Sequence, residues 1–166
     1  RSIAVTGVQT CALPISALGI ARAAIDEAVA MIQQKTPAFG AKTLKDQGVV
    51  QSRLAQAEAR LGAGRAFFYT VFEEAWREAV AGYPITVALK GRLQLAMTHA
   101  TLECAGAVSI VHELAGASGI REEYPFERHF RDIHVITQHG FTNSGKLESA
   151  GKILLGLDPE WPFFKY

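Results

Sequence analysis

GVVQSRLAQAEARLGAGRAFFYTVFEEAWREAVA, residues 48–81, contains no proline and repeats its apolar residues at steps of three and four. Val50, Leu54, Ala57, Leu61, Phe68, Phe72, Ala75 and Ala79 fall on one seam, which predicts a single amphipathic helix. At 1.5 Å per residue it is roughly 50 Å long, and Gly82-Tyr83-Pro84 stops it. A rod of that length, with a narrow apolar stripe and small alanine and glycine positions, buries its stripe by packing alongside similar rods.

The neighbouring segments supply those rods. Upstream, Leu18, Ala21, Ile25, Ala28, Val29 and Ile32 predict a helix over 17–34, ended by Thr36-Pro37 because proline lacks an amide hydrogen and excludes its predecessor from helical geometry. A loop through Gly40 follows. Downstream, Leu89, Leu93, Ala96, Met97, Ala100, Cys104, Ala107, Val108 and Val111 predict a helix over 86–115, closed by a glycine-rich turn at 116–119. Phe130, Ile133 and Ile136 line a fourth helix over 126–138. Gly140 interrupts the pattern, and Leu147, Ala150, Ile153 and Leu154 line a last one over 143–155. The short connections make successive rods antiparallel, so the expected fold is all-α, an up-and-down bundle of long antiparallel helices. The tail over 158–166 is aromatic and proline-broken. Its Trp161, Phe163, Phe164 and Tyr166, with part of the Phe67, Phe68, Tyr69, Phe72 and Trp76 cluster, are expected to meet a partner.

Composition narrows the function. The 166 residues amount to one domain, and 17 basic against 16 acidic residues give a net charge of +1 with no like-charge block. Nucleic acid is therefore not an expected partner. Nor is a membrane, since no apolar run is long enough to span one. The two cysteines build no disulfide framework, which fits a reducing cytoplasm. Cys104 lies among alanine, leucine and valine and reads as a small core hydrophobe rather than a nucleophile. Five histidines raise a metal site, but no Glu-x-x-His pairs occur. His129, His134 and His139 step by five and diverge around a helix, so no metal is expected. A hydrophobic share of 49% is high for an isolated domain and implies a covered surface.

Residues 5–15, VTGVQTCALPI, resemble an open-frame translation of a short-read sequencing adapter. The expected organisation is a non-native leader over 1–15, the helical domain over 16–157 and the tail over 158–166.

Three motifs carry a family resemblance: ALGIAR at 17–22, KTLKDQGVVQSRLAQAEARL at 42–61, and Glu127-Arg128 with Arg131-Asp132 ahead of Thr137-Gln138-His139. Together they resemble the carboxy-terminal helical domain of the acyl-CoA dehydrogenase superfamily. They are most similar to its second type, found also in flavin-dependent monooxygenases acting on phenols and aromatic heterocycles. The resemblance implies a flavoenzyme using FAD, or reduced FMN or FAD supplied by a reductase. It also implies a preceding helical domain and β-barrel domain missing from this chain, and assembly as a homodimer or homotetramer. The main functional expectation is oxidation of CH–CH groups in acyl-CoA thioesters. Aromatic hydroxylation is the alternative, and a non-catalytic oligomerisation module, which holds no FAD tightly by itself, is the third.

The same resemblance marks site residues. Gln47 aligns with a glutamine near the adenosine side of FAD, although a helix cap is the simpler role. Gly116, Ala117 and Ser118 match a turn that approaches FAD across the dimer interface, where small residues let backbone amides reach phosphate, and they equally suit a helix C-cap. Thr36 stands where first-type relatives have the arginine of Arg-x-x-Phe-Gly, so that diphosphate contact is either lost or supplied otherwise, with Lys35 and Lys42 as the candidates. His139-Gly140 stands where many dehydrogenases carry the glutamate base in a Glu-Gly-Thr turn. Some relatives place that base upstream of the ALGIAR helix instead. An imidazole at 139 can take a proton from a phenol or donate a hydrogen bond beside the flavin, or simply cap helix carbonyls. Arg131 and Asp132 read as structural ion pairs or as contacts across an interface.

Overall fold

The structure, a computed structural model, describes residues 3–36, 43–161 and 164. Pro37, Phe39, Gly40, Lys42, Phe163 and Tyr166 lie outside the described residues. Among the described residues five helices follow in order: α1 Ile3–Gln34, α2 Gly48–Val80, α3 Val87–Ala115, α4 Phe126–Thr137 and α5 Lys146–Leu154. Short 3-10 turns at Leu44–Asp46 and Gly116–Ile120 join them, and no strand occurs among the described residues.

Ion pairs report the directions of the rods. Arg22 reaches Glu58 at 2.8 Å and ties α1 to α2. Arg53 pairs with Glu113, Arg60 with Glu103 at 3.1 Å, and Arg92 with Glu74 at 2.8 Å, which makes α2 and α3 antiparallel over their length. These pairs are largely exposed and add little stability. The core supplies it. Ile25, Phe68, Met97, Val108, Val111, Phe126 and Ile133 are fully buried, and α3 is the central rod, packed against α1, α2, α4 and α5.

Local chemistry sets the ends. Thr86 caps α3 by accepting a hydrogen bond from the Leu89 amide at 3.2 Å, a contact worth about 1 kcal/mol. Past α2, Gly82 takes φ 77° while its amide donates to Ala79 and the Tyr83 amide donates to Glu78, the paired bonds of a Schellman stop. Gly156 repeats this device after α5, with Leu157 donating to Lys152 at 2.9 Å.

Several expectations need correction. The first helix begins at Ile3 rather than at 17 and runs through Pro14, whose ring is buried. Proline removes one backbone bond there, and helical residues on both sides carry the geometry across. The last helix begins at Lys146 rather than 143, because Asn143 is committed to the preceding turn through two bonds to the His139 carbonyl. Leu154 is 74% exposed and Ala79 is exposed too, so neither belongs to its expected seam. Helix α5 instead meets α3 through Ala150 and through Ile153, which fills the space a Cβ on Gly91 would need. Phe164 is buried and Trp161 packs on Phe141 with ring centroids 5.1 Å apart, so these tail aromatics fold back onto their own chain. Of the α2 aromatics, Phe68 is buried with Phe72 and Tyr69 beside it, while Trp76 stays 63% exposed.

Candidate functional site

The expected site residues fall at two ends of the bundle. At the first, α3 ends on Gly116, whose φ of 53° and ψ of −134° suit glycine. Nothing lies within 4 Å of the position its Cβ would occupy. Ala117 is exposed, whereas Ser118 is buried. The Ser118 hydroxyl accepts a 2.6 Å hydrogen bond from the Lys35 ammonium, which also lies 3.5 Å from the Ala115 carbonyl. A cation there offsets the negative end of the α3 dipole. Lys35 also holds the start of the next segment, since its carbonyl accepts from the Leu44 amide at 3.1 Å.

Gln47 occupies the N-cap position of α2, but its side chain caps nothing, so the simple capping role is not the one observed. The structure thus gathers Gln47, Lys35 and the glycine-rich turn at one bundle end. It offers open backbone at Gly116 and Ala117, and it turns the Ser118 side chain inward. Gly119 is small because the His112 ring lies beneath it, with Nε2 3.3 Å from where a Cβ would stand.

His139 is at the other end, exposed in the turn between α4 and α5. Its amide donates to the Ile136 carbonyl, and its own carbonyl accepts from the Thr142 and Asn143 amides, both at 3.0 Å. The ring does not cap helix carbonyls. Instead Nδ1 accepts from the Phe141 amide at 3.3 Å. An amide can donate only to a lone pair, so this bond requires a neutral ring with its proton on Nε2. The outward-facing group is then a donor. The Phe141 ring lies nearly parallel to the imidazole, at 21° and 5.8 Å, and Trp161 backs it in turn.

Sequence reasoning missed Gln94. It is fully buried on α3, and its Nε2 donates to the Phe141 carbonyl at 2.8 Å and to the Thr98 hydroxyl at 3.0 Å. Its Oε1 has no partner. The signal was present as Gln94, Thr98 and Thr101, polar residues at helical spacing on a rod that is otherwise apolar on the same face. Gln94 also measures the separation of the two ends. It precedes Gly116 along α3 by roughly 30 Å at the helical rise.

The remaining ionisable candidates are structural. Arg131 pairs with Glu127 one turn back at 2.7 Å. Burial pushes the Cys104 thiol up to about 12, with Glu103 adding to the effect, which suits a core position and not a nucleophile. Among the described residues no three His, Cys, Asp or Glu side chains gather as a metal site, and no helix is long and apolar enough to cross a membrane.

Comparison with known proteins agrees with this architecture. A family profile described as the C-terminal domain of acyl-CoA dehydrogenase matches residues 11–144. The chain is 38% identical over 150 residues to indole-3-acetate monooxygenase of Pseudomonas putida, covering 90% of this chain and 39% of that protein. It is 32% identical over 139 residues to the short-chain specific acyl-CoA dehydrogenase of Megasphaera elsdenii, covering 84% and 34% respectively. The solved structure of 3-HSA hydroxylase from Rhodococcus sp. RHA1 superposes with a TM-score of 0.85 at 20% identity, over 94% of this chain and 41% of the other, a likeness of fold. The chain therefore spans about two-fifths of the length of the relatives it matches.

Proposed function

Because the chain belongs to the acyl-CoA dehydrogenase C-terminal domain family, we propose that it is the carboxy-terminal helical part of a flavin-dependent monooxygenase acting on an aromatic heterocycle or phenol. The observation that carries this reading is the His139 turn. It presents an exposed imidazole donor and no carboxylate at residues 139–141. The 38% identity to an indole-3-acetate monooxygenase supports the same choice.

A bound flavin would supply the reducing electrons and activate dioxygen. The residues present fit the margin of such a group. Gly116 and Ala117 offer backbone with open space for an anionic phosphate to approach, and Gln47 stands at the same end with no helix-capping bond to its side chain. The rest of the pocket belongs to the preceding helical and β-barrel domains of a longer protein, which assembles as a homodimer or homotetramer in the cytoplasm. His139 orients the substrate by donating from Nε2. To act as a base it must first release the Phe141 amide, since only Nδ1 carries a lone pair in this arrangement.

The second reading, dehydrogenation of an acyl-CoA thioester, is supported by the 32% identity to the Megasphaera enzyme. It needs a carboxylate base from elsewhere. Assays of the longer protein separate the two readings. With reduced flavin and dioxygen it is expected to hydroxylate indoles or phenols and to leave acyl-CoAs unchanged, and the opposite preference overturns the proposal. His139→Asn, which keeps a donor, is expected to retain more activity than His139→Ala. The 166-residue chain alone is expected to bind FAD weakly and to lack turnover, so a tight stoichiometric complex on titration would contradict this division of labour.

A further inference from the structure

We propose that Gln94 is a positioning residue for His139: its buried amide anchors the Phe141 carbonyl, and through Phe141 it fixes which imidazole nitrogen carries the proton. The inference rests on the reading of His139 given above.

The orientation of the Gln94 amide follows from its partners. Nε2 must face Phe141, because turning Oε1 that way would set two carbonyl oxygens 2.8 Å apart. Thr98 takes the second amide hydrogen at 3.0 Å, and Oε1 is left buried without a partner. Folding alone gains little from such a residue. A methionine would fill the same space without burying an unpaired oxygen. What the glutamine adds is a side-chain tie from the buried face of α3 to an exposed turn that its own local hydrogen bonds close.

The Phe141 carbonyl and amide flank one α-carbon, so anchoring the first restricts the direction of the second. That amide donates to His139 Nδ1. The chain of contacts runs from a rigid central helix through one backbone residue to the imidazole, and it holds the ring as an Nε2–H donor. Thr142 braces the far side of the turn, with its hydroxyl donating to the Ile136 carbonyl at 2.6 Å.

The test is nitrogen NMR of the 166-residue chain labelled with 15N-histidine, combined with amide exchange at Phe141. In the unsubstituted chain His139 is expected as a single Nε2–H tautomer, and a ring showing the mixture of free imidazole overturns the proposal without any variant. Gln94→Met is expected to shift His139 toward that mixture and to speed Phe141 exchange by about five- to tenfold, the factor one net hydrogen bond supplies. Thr98→Val removes the other partner of the same amide and is expected to move neither readout. If Gln94→Met leaves the His139 nitrogens unchanged, Gln94 is only a core residue. None of these signals depends on turnover, so failure of the monooxygenase reading would leave them intact. Conversely, an unchanged His139 defeats the inference even where hydroxylation is observed.

Discussion

Gly62 and Gly64 lie two residues apart in α2 and make a matched test of how closely the central rods approach. Replacing either with alanine gains about 1 kcal/mol of helix propensity, because glycine has more backbone freedom to lose. At Gly62 nothing lies within 4 Å of the new methyl, so Gly62→Ala is expected to stabilise by about that amount. At Gly64 the methyl would sit 3.2 Å from the Ala100 α-carbon and 3.3 Å from the Glu103 Cβ. Both atoms belong to or adjoin the α3 backbone, so neither can swing aside. The helices would have to part, against the anchorage of fully buried Phe68 one turn further on. Overpacking of that kind costs about 1–3 kcal/mol, which cancels or exceeds the propensity gain. The two variants are expected to differ by about 1–3 kcal/mol, with Gly64→Ala neutral to destabilising. Urea unfolding followed by circular dichroism at one fixed protein concentration measures this, provided the slope with denaturant stays constant. Equal stabilisation by both variants, within about 0.3 kcal/mol, would refute the close approach of α2 and α3.

Other expectations follow from buried groups and from the amino terminus. His129 is buried, and desolvation, with help from Arg128, holds its imidazole below the usual range against the opposing pull of Asp132 and Glu27. The unfolded chain therefore takes up this proton first on acidification, so stability present above the ordinary imidazole range is lost as pH falls through it. The melting temperature should drop between about pH 7 and pH 5, and His129→Gln should flatten that drop, whereas an equally steep profile in the variant would remove His129 as the cause. Cys104 is fully buried with its thiol pushed up to about 12. Peptide mapping after maleimide treatment should find it unmodified in the native protein and modified in urea, and rapid native labelling would contradict its placement. A chain starting at Ser16 should lose no more than about 1 kcal/mol, close to the range of surface changes, if residues 1–15 are a non-native leader. A loss of several kcal/mol in the same unfolding assay would show that the α1 extension belongs to the fold.

Periodicity alone located most of the bundle. The seams of α2 and α3 were visible because one face of each long rod must be apolar, and their ends coincided with Gly82 and Gly116, where φ is positive. The failures have physical reasons. Leu154 looks inward on a helical wheel, yet α5 is only nine residues long and turns Ala150 and Ile153 to α3. Gln94, Thr98 and Thr101 look solvent-facing by residue type and are buried because α3 is surrounded. Only resemblance marked the site residues. Nothing in the spacing around His139 distinguishes an oriented imidazole from a surface one, since its orientation depends on Gln94, far away in sequence. Ser118 was named for cofactor contact, and the lysine that occupies its hydroxyl comes from α1's end, which no local pattern reveals.

The separation of the two ends along α3 constrains any use of both. Gln94, which holds the His139 turn through Phe141, lies roughly 30 Å from Gly116 along α3, so a single chain cannot bring both ends to the same flavin ring. On the function proposed above, the glycine-rich turn then serves a cofactor whose reacting end meets the His139 of another copy. Mixing two inactive variants of the longer protein tests this directly. His139→Ala and Gly116→Val, the latter strained by a β-branched residue at φ 53°, would each disable their own contribution. If each site is shared between two copies, random pairing makes half the dimers mixed, each with one site free of both defects. About a quarter of wild-type activity should return. If each copy builds its site alone, every site in the mixture keeps a defect and no activity returns, which would place both clusters in service of a single copy and defeat the geometric argument.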